Sequence, residues 1–231
     1  MKIIYISTFP PLRCGVAHYM QYLSDGLRQA NFNNFTILAN YPQGKDSRPE
    51  NILSSWRKNR LSDLWFLYKK IRQEKPEILH LQFHPALYGR GWFSLLLAKI
   101  VFLAKPRDTK LFITFHTLPI PSRLKGFNRF LKRQAVSFLL KRADKVVVHT
   151  KEMKKILVGE FFYPENRIII MPMGCQRAKI INPSQAKETI GLEGKTILFS
   201  PVLLRPGTQM ELLIKAVSGL QKQLPKLYLI G

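Results

Sequence analysis

The chain has 231 residues, 46% of them hydrophobic, and a formal net charge of +23 at pH 7. The length suits one large domain, or one domain with part of another, and the charge implies attraction to something anionic: nucleic acid, an acidic membrane surface or phosphate-bearing substrates. The two cysteines, Cys14 and Cys175, are too few for a disulfide framework, and no metal-ligand spacing is present, so a reducing cytosol is the expected compartment.

Met1 leads straight into a strand pattern rather than into the charged and apolar regions of a signal peptide. Apolar runs of strand length then recur at Ile3 to Ser7, Phe35 to Ala39, Ile78 to Gln82, Leu111 to Phe115, Lys145 to His149 and Arg167 to Met171. Between them, helical periodicity predicts helices at Val16 to Gln29, Leu61 to Glu74, Gly91 to Ala104, Leu124 to Lys141 and Lys151 to Val158. The run from Gly91 to Ala104 is the longest apolar stretch, but Lys99 interrupts it and it falls short of the roughly 20 residues that span a bilayer. It reads as a buried helix. Strands buried on both faces and alternating with helices imply a Rossmann-like, doubly wound parallel sheet.

From Cys175 to Lys195 the pattern loosens into a polar connector containing Asn182-Pro183-Ser184. A new strand (Thr196 to Phe199), a turn, a new helix (Gln209 to Leu220) and a last strand in "KLYLIG" follow. The expected organisation is therefore a complete domain over 1–178 and the start of a second, Rossmann-like domain over 179–231. Two strands and one helix are too little to close a core.

In such sheets ligands sit at the carboxyl ends of the strands. After the first strand, "TFPPLRCGVAHY" turns through Pro10, Pro11 and Gly15 into a helix, whose N-terminal N–H groups and dipole suit a phosphate or a sugar. It is not the dinucleotide fingerprint, which has a different glycine spacing. The alternative is that Gly15 merely permits a tight turn between rigid prolines. His116 directly follows the fourth strand and should stand at the same edge, able to hydrogen-bond a sugar hydroxyl; the alternative is a structural histidine. His84 has a weaker case, and His18, His80 and His149 read as helix or strand residues.

Taken in order, "TFPPLRCGVAHY", "ILHLQFHPALYGRG", "LFITFHTLPIP", "ADKVVVHTKEMKKIL" and "RIIIMPMG" resemble the N-terminal domain of retaining, nucleotide-sugar-dependent glycosyltransferases of the GT-B fold, family 4 type. The resemblance implies an acceptor-binding first domain, a donor-binding second domain and transfer in the cleft between them. It places Gly15 near the donor diphosphate and His116, as the catalytic-site residue, near the donor sugar. Its implied partners are a nucleotide sugar and a glycan or lipid-linked acceptor, with no cofactor and no metal.

Departures from the pattern accompany it. Where the family carries a Lys-Gly pair that clamps diphosphate, this chain has Thr208 and Gln209, leaving Arg205 as the nearby cation and the candidate substrate-binding residue. The family's donor-side E-x7-E pair has no counterpart after this point, and Phe83-His84 stand where relatives carry His-Glu. The expectation is a chain inactive by itself, docking with a complementary donor-domain half. The alternatives are a non-catalytic relative serving as a binding or scaffolding module, and a basic nucleic-acid-binding protein.

Residues 122–142 form a basic amphipathic pattern: Leu124, Phe127, Leu131 and Phe138 at helical spacing, with Arg123, Lys125, Arg129, Lys132, Arg133, Lys141 and Arg142 and no acid. This suits an anionic membrane surface, and equally a core-facing stripe with a solvated cationic back. The resemblance favours the cytoplasmic leaflet. No zinc-finger spacing, RNP-like strand aromatics or compact helix-turn-helix supports nucleic acid.

Overall fold

The computed structural model describes residues 1–42, 48–84, 87–89, 91–118, 127–174, 180–200 and 209–230, the side chains at 128 and 129 excepted. The chain forms two compact units, Met1–Gln176 and Arg177–Gly231.

The first unit alternates strand and helix. Its strands are β1 (Ile3–Ser7), β2 (Phe35–Asn40), β3 (Ile52–Trp56), β4 (Ile78–Phe83), β5 (Lys110–Phe115), β6 (Lys145–Val148) and β7 (Ile168–Ile170). Its helices are α1 (Gly15–Gln29), α2 (Leu61–Glu74), α3 (Gly91–Ala104), α4 (Phe127–Leu140) and α5 (Lys151–Phe161). The strands form one seven-stranded sheet in the order β3-β2-β1-β4-β5-β6-β7, with every described pairing parallel.

Strand periodicity explains how the sheet is covered. Ile4 and Ile6 of β1 join one core cluster with Leu64 and Leu67 of α2 and Phe93 and Leu97 of α3. Ile3 and Tyr5, alternating with them, point into a second cluster with Met20 of α1. Each large side chain so buried contributes about 1.5–3 kcal/mol. Helix α3 buries Phe93, Leu97, Ala98, Val101 and Ala104 between its neighbours, as its continuous apolar run anticipated.

The sequence pattern missed two elements. Strand β3 is an edge strand that pairs only with β2, and its Ser54-Ser55 pair breaks the apolar run that marks the inner strands. Helix α6 (Pro183–Thr189) lies inside the stretch read as connector: Asn182 caps it by accepting from the Ser184 N–H at 2.9 Å, and Pro183 opens its first turn. It has no buried residue, so no apolar stripe announced it. In the second unit, β8 (Thr196–Phe199) pairs in parallel with β9 (Leu227–Ile230), and α7 (Met210–Leu220) packs on β9.

Candidate active site at the carboxyl edge of the sheet

The strand order reverses direction between β1 and β4. Crossovers leave these two strands toward opposite edges, the arrangement in which sheets of this kind take ligands at the strands' carboxyl ends. Continuing the register that pairs Ile6 with Leu81 sets Ser7 beside Gln82 at this point. Both residues are fully buried, yet Ser7 Oγ and Gln82 Nε2 find no hydrogen-bond partner among the described residues. An unmet buried polar group costs about 1–3 kcal/mol. Two of them side by side at the switch point mark a polar site and not ordinary core. Tyr88 closes its floor: the hydroxyl lies 2.7 Å from the Gln82 carbonyl oxygen and 3.2 Å from that of Ile6, tying the ends of β4 and β1 together.

Helix α1 enters from the β1 side. The side chain of its N-cap, Cys14, makes no capping hydrogen bond to the helix and its first turn holds no acidic residue. The N–H groups of Gly15, Val16 and Ala17 precede the first helical bond, from His18 N–H to Cys14 O at 3.1 Å, so this end presents uncompensated positive character. Gly15 is exposed, its φ lies outside the left-handed region, and a Cβ built on it meets nothing within 4 Å. The turn therefore does not require glycine, which removes the reading of Gly15 as a turn-former. What remains is open space over the backbone.

On the other side stands a row of histidines. The register matches Phe83 to Phe115 and Phe115 to Val148, so the next residues, His84, His116 and His149, sit at one level along the edge. The His116 N–H donates to the Phe83 carbonyl oxygen at 3.0 Å, extending the ladder by one residue. His116 Nε2 lies 2.9 Å from Gln82 Oε1, its Nδ1 lies 3.3 Å from His149 Nε2, and His149 Nδ1 lies 2.9 Å from the Met171 carbonyl oxygen. Tyr19, one turn along α1 from Gly15, stands edge-on to both rings, with centroid distances of 4.8 Å to His116 and 5.5 Å to His149. Helix α1, which Gly15 opens, thus reaches His116 through Tyr19.

Burial lowers the His116 pKa to about 3, with further lowering from His149, His84 and His80. At pH 7 the ring is neutral, a hydrogen-bonding group and not a cation. Burial also raises Tyr19 above the usual phenol value, keeping its hydroxyl protonated. His80 is different in kind. It lies within β4, 2.8 Å from Thr114 Oγ1 and with its ring tilted against Tyr5 at a centroid distance of 5.1 Å, and burial lowers its pKa to about 4. That is a strand histidine, as expected.

Arg205 and Thr208 lie outside the described residues. Gln209, at the family's clamp-glycine position, has φ 57° in the left-handed region that glycine favours. His149 corrects the sequence reading: β6 ends at Val148, and His149 stands beyond it as a partner of His116. Gln82 and Tyr19 were missed as well. The available signal was the apolar-histidine ending shared by Phe83-His84, Phe115-His116 and Val148-His149, together with the Gly15/Tyr19 spacing of one helical turn. Among the described residues no group of three or more His, Cys, Asp or Glu could hold a metal ion.

The doubly wound parallel sheet and its likeness to the solved structures below place the chain in the GT-B fold class. The chain belongs to Glycosyltransferase Family 4, whose family model matches residues 14–178. No curated protein sequence matches it. Among solved structures it is similar to a Listeria monocytogenes protein described as a UDP-N-acetylglucosamine 2-epimerase, at 18% identity with TM-score 0.55, covering 99% of this chain and 61% of that one. It is also similar to S. aureus MnaA solved with UDP, at 17% identity with TM-score 0.57 and the same coverages of 99% and 61%. The chain thus spans 61% of the length of each.

Proposed function

We propose that this chain takes part in glycosyl transfer from a nucleotide sugar to an acceptor, its first unit forming the acceptor-side wall of the reaction cleft. The observation that carries the reading is the convergence, at one switch point, of an uncapped helix end, open space over Gly15 and the neutral His116. Membership of the family gives that convergence its chemistry. The N–H groups at the start of α1 take diphosphate oxygens as negative charge builds on the leaving group, and His116 hydrogen-bonds the donor sugar. The similarity to a UDP-bound structure supports a nucleotide sugar as the ligand class. Transfer also needs the donor held from the opposite wall. Arg205 is the candidate cation for binding the donor, and the 231-residue chain by itself is expected to be inactive until a complementary donor-domain half is supplied.

The test is nucleoside diphosphate release from a panel of nucleotide sugars in the presence of membrane extract. The reading expects no release above hydrolysis by the chain alone and release on adding a donor-domain half, lost in His116→Ala. No release in either case, together with no binding of any nucleoside diphosphate, would overturn it in favour of a non-catalytic binding module.

A lipid-linked acceptor at an anionic cytoplasmic leaflet is the acceptor reading favoured by the surface. No described helix is long and apolar enough to cross a membrane. Yet α4 exposes Phe127 and Phe130, and α2 exposes Leu61 and Trp65, on a chain of net charge +23. Exposed aromatics among cations suit peripheral attachment to anionic lipid. Sedimentation with anionic and neutral vesicles, compared with binding to single-stranded and duplex oligonucleotides, separates this from nucleic-acid binding. Preference for oligonucleotides would refute it.

A further inference from the structure

We propose that Gln82 and His149 are positioning residues for His116, and that the three side chains share one exchangeable proton whose uptake reverses the Gln82 amide. Only the importance given to His116 rests on the glycosyl-transfer reading.

The inference comes from counting hydrogens. Three contacts run in series, from the Met171 carbonyl oxygen to His149, from His149 to His116, and from His116 to the Gln82 side-chain amide. Each needs one hydrogen. The Met171 carbonyl oxygen only accepts, so His149 carries its hydrogen on Nδ1. A neutral His149 then has a bare Nε2, which His116 must meet with an Nδ1–H. A neutral His116 is in turn bare at Nε2. Two neutral imidazoles hold two N–H groups, and the third contact has none unless Gln82 supplies it.

Two arrangements close the count. With the pair neutral, the Gln82 NH2 group faces His116 Nε2 and donates to it. With one added proton, His116 Nε2–H donates to Gln82 Oε1, the orientation in which Gln82 Nε2 is the buried amide nitrogen lacking a partner. Proton uptake by the pair and the direction of the amide are therefore one event. Gln82 cannot simply leave: it is fully buried, its register partner is Thr114, and its backbone carbonyl oxygen accepts from Tyr88.

The groups around His116 favour the neutral arrangement at pH 7. Burial does most to keep the ring uncharged, His149 just past β6 and His84 and His80 from the β4 side lower its pKa further, and Tyr19 of α1 meets the ring edge-on as a neutral phenol. In this arrangement both His116 nitrogens are engaged within the protein. A sugar hydroxyl gains His116 only by taking over the place of Gln82 or His149, so these two residues set how that ring is presented.

The experiment is nitrogen-15 NMR of the histidine rings and of the Gln82 side-chain amide in the full chain, from pH 7 downward, without substrate. At pH 7 both rings should show the Nδ1–H tautomer. On acidification the His116 ring signals and the Gln82 NH2 signals should move in a single step. Gln82→Glu offers a carboxylate in place of the amide and no donor, so it should hold the third hydrogen on the pair and raise the His116 midpoint by at least about two pH units. His149→Phe removes the acceptor opposite Nδ1, so His116 should switch to the Nε2–H tautomer and donate to Gln82. The proposal is overturned by an Nε2–H tautomer of His116 at pH 7 in the unsubstituted chain. It is equally overturned if Gln82→Glu moves the midpoint by less than about half a unit, or if His149→Phe leaves the tautomer unchanged. Failure to bind any nucleotide would refute the glycosyl-transfer reading and leave this result untouched.

Discussion

Removing one oxygen atom from Tyr88 tests how the fold holds the switch point together. The phenol is fully buried, its ring packed against Trp56 at a centroid distance of 4.8 Å and Phe83 at 6.2 Å, and its hydroxyl reaches the carbonyl oxygens of Gln82 and Ile6. Tyr88→Phe keeps the ring and deletes the donor. One proton serves two acceptors at 2.7 and 3.2 Å, so the loss is one good hydrogen bond plus the cost of carbonyl oxygens left dry. The expected destabilisation is about 1–2 kcal/mol. At about 2–4 °C per kcal/mol for a chain of this size, the melting temperature should fall by about 2–8 °C. Tyr88→Ala, which also empties the ring's volume, should cost about 3–5 kcal/mol. Urea unfolding followed by tryptophan fluorescence reads the first unit through Trp56. A Tyr88→Phe change below about 0.3 kcal/mol, or one equal to that of Tyr88→Ala, would refute the claim that this hydroxyl ties β1 to β4.

Other outcomes follow from single residues. His80, with a folded pKa of about 4, binds its proton more weakly than in the unfolded chain, where the value is about 6.5. Its contribution is complete above pH 6.5 and is lost as pH falls toward 4, on the order of 3 kcal/mol, and His80→Asn should flatten that part of an unfolding profile measured against pH. Gly89 has φ 120°, and a Cβ there would lie 2.3 Å from Asn59 Oδ1, so Gly89→Ala should destabilise the first unit by about 1–3 kcal/mol in the same urea assay. Gln209 holds a left-handed backbone with φ 57°, so Gln209→Gly should slow amide exchange in α7 by relieving about 0.5–1 kcal/mol.

Much of the fold was legible because inner parallel strands announce themselves. β1, β2, β4, β5 and β6 are apolar runs bounded by helical periodicity, and each was found to within a residue or so. β3 escaped because an edge strand needs only one covered partner and tolerates Ser54 and Ser55. At the site, Gly15 and His116 could be read from their places after β1 and β5. His149 was read as a strand residue, because a single sequence does not separate a histidine inside a strand, such as His80, from one standing just past its end. Gln82 was hidden for a related reason. A polar residue inside a buried strand declares a purpose only when register brings it beside Ser7 and under His116, and register is a property of the assembled sheet.

On the proposed function, a nucleoside diphosphate binds between the start of α1 and His116. Titrating the isotopically labelled chain with UDP and following backbone amides and histidine rings by NMR tests it most directly. The account expects the largest shifts at Gly15, Val16, Ala17 and His116. It also expects Gly15→Val, which fills the open space above that backbone without touching the core, to weaken binding by at least about tenfold while keeping the melting temperature within about 2 °C. Shifts confined to the basic face of α4, or binding unchanged in Gly15→Val, would contradict it.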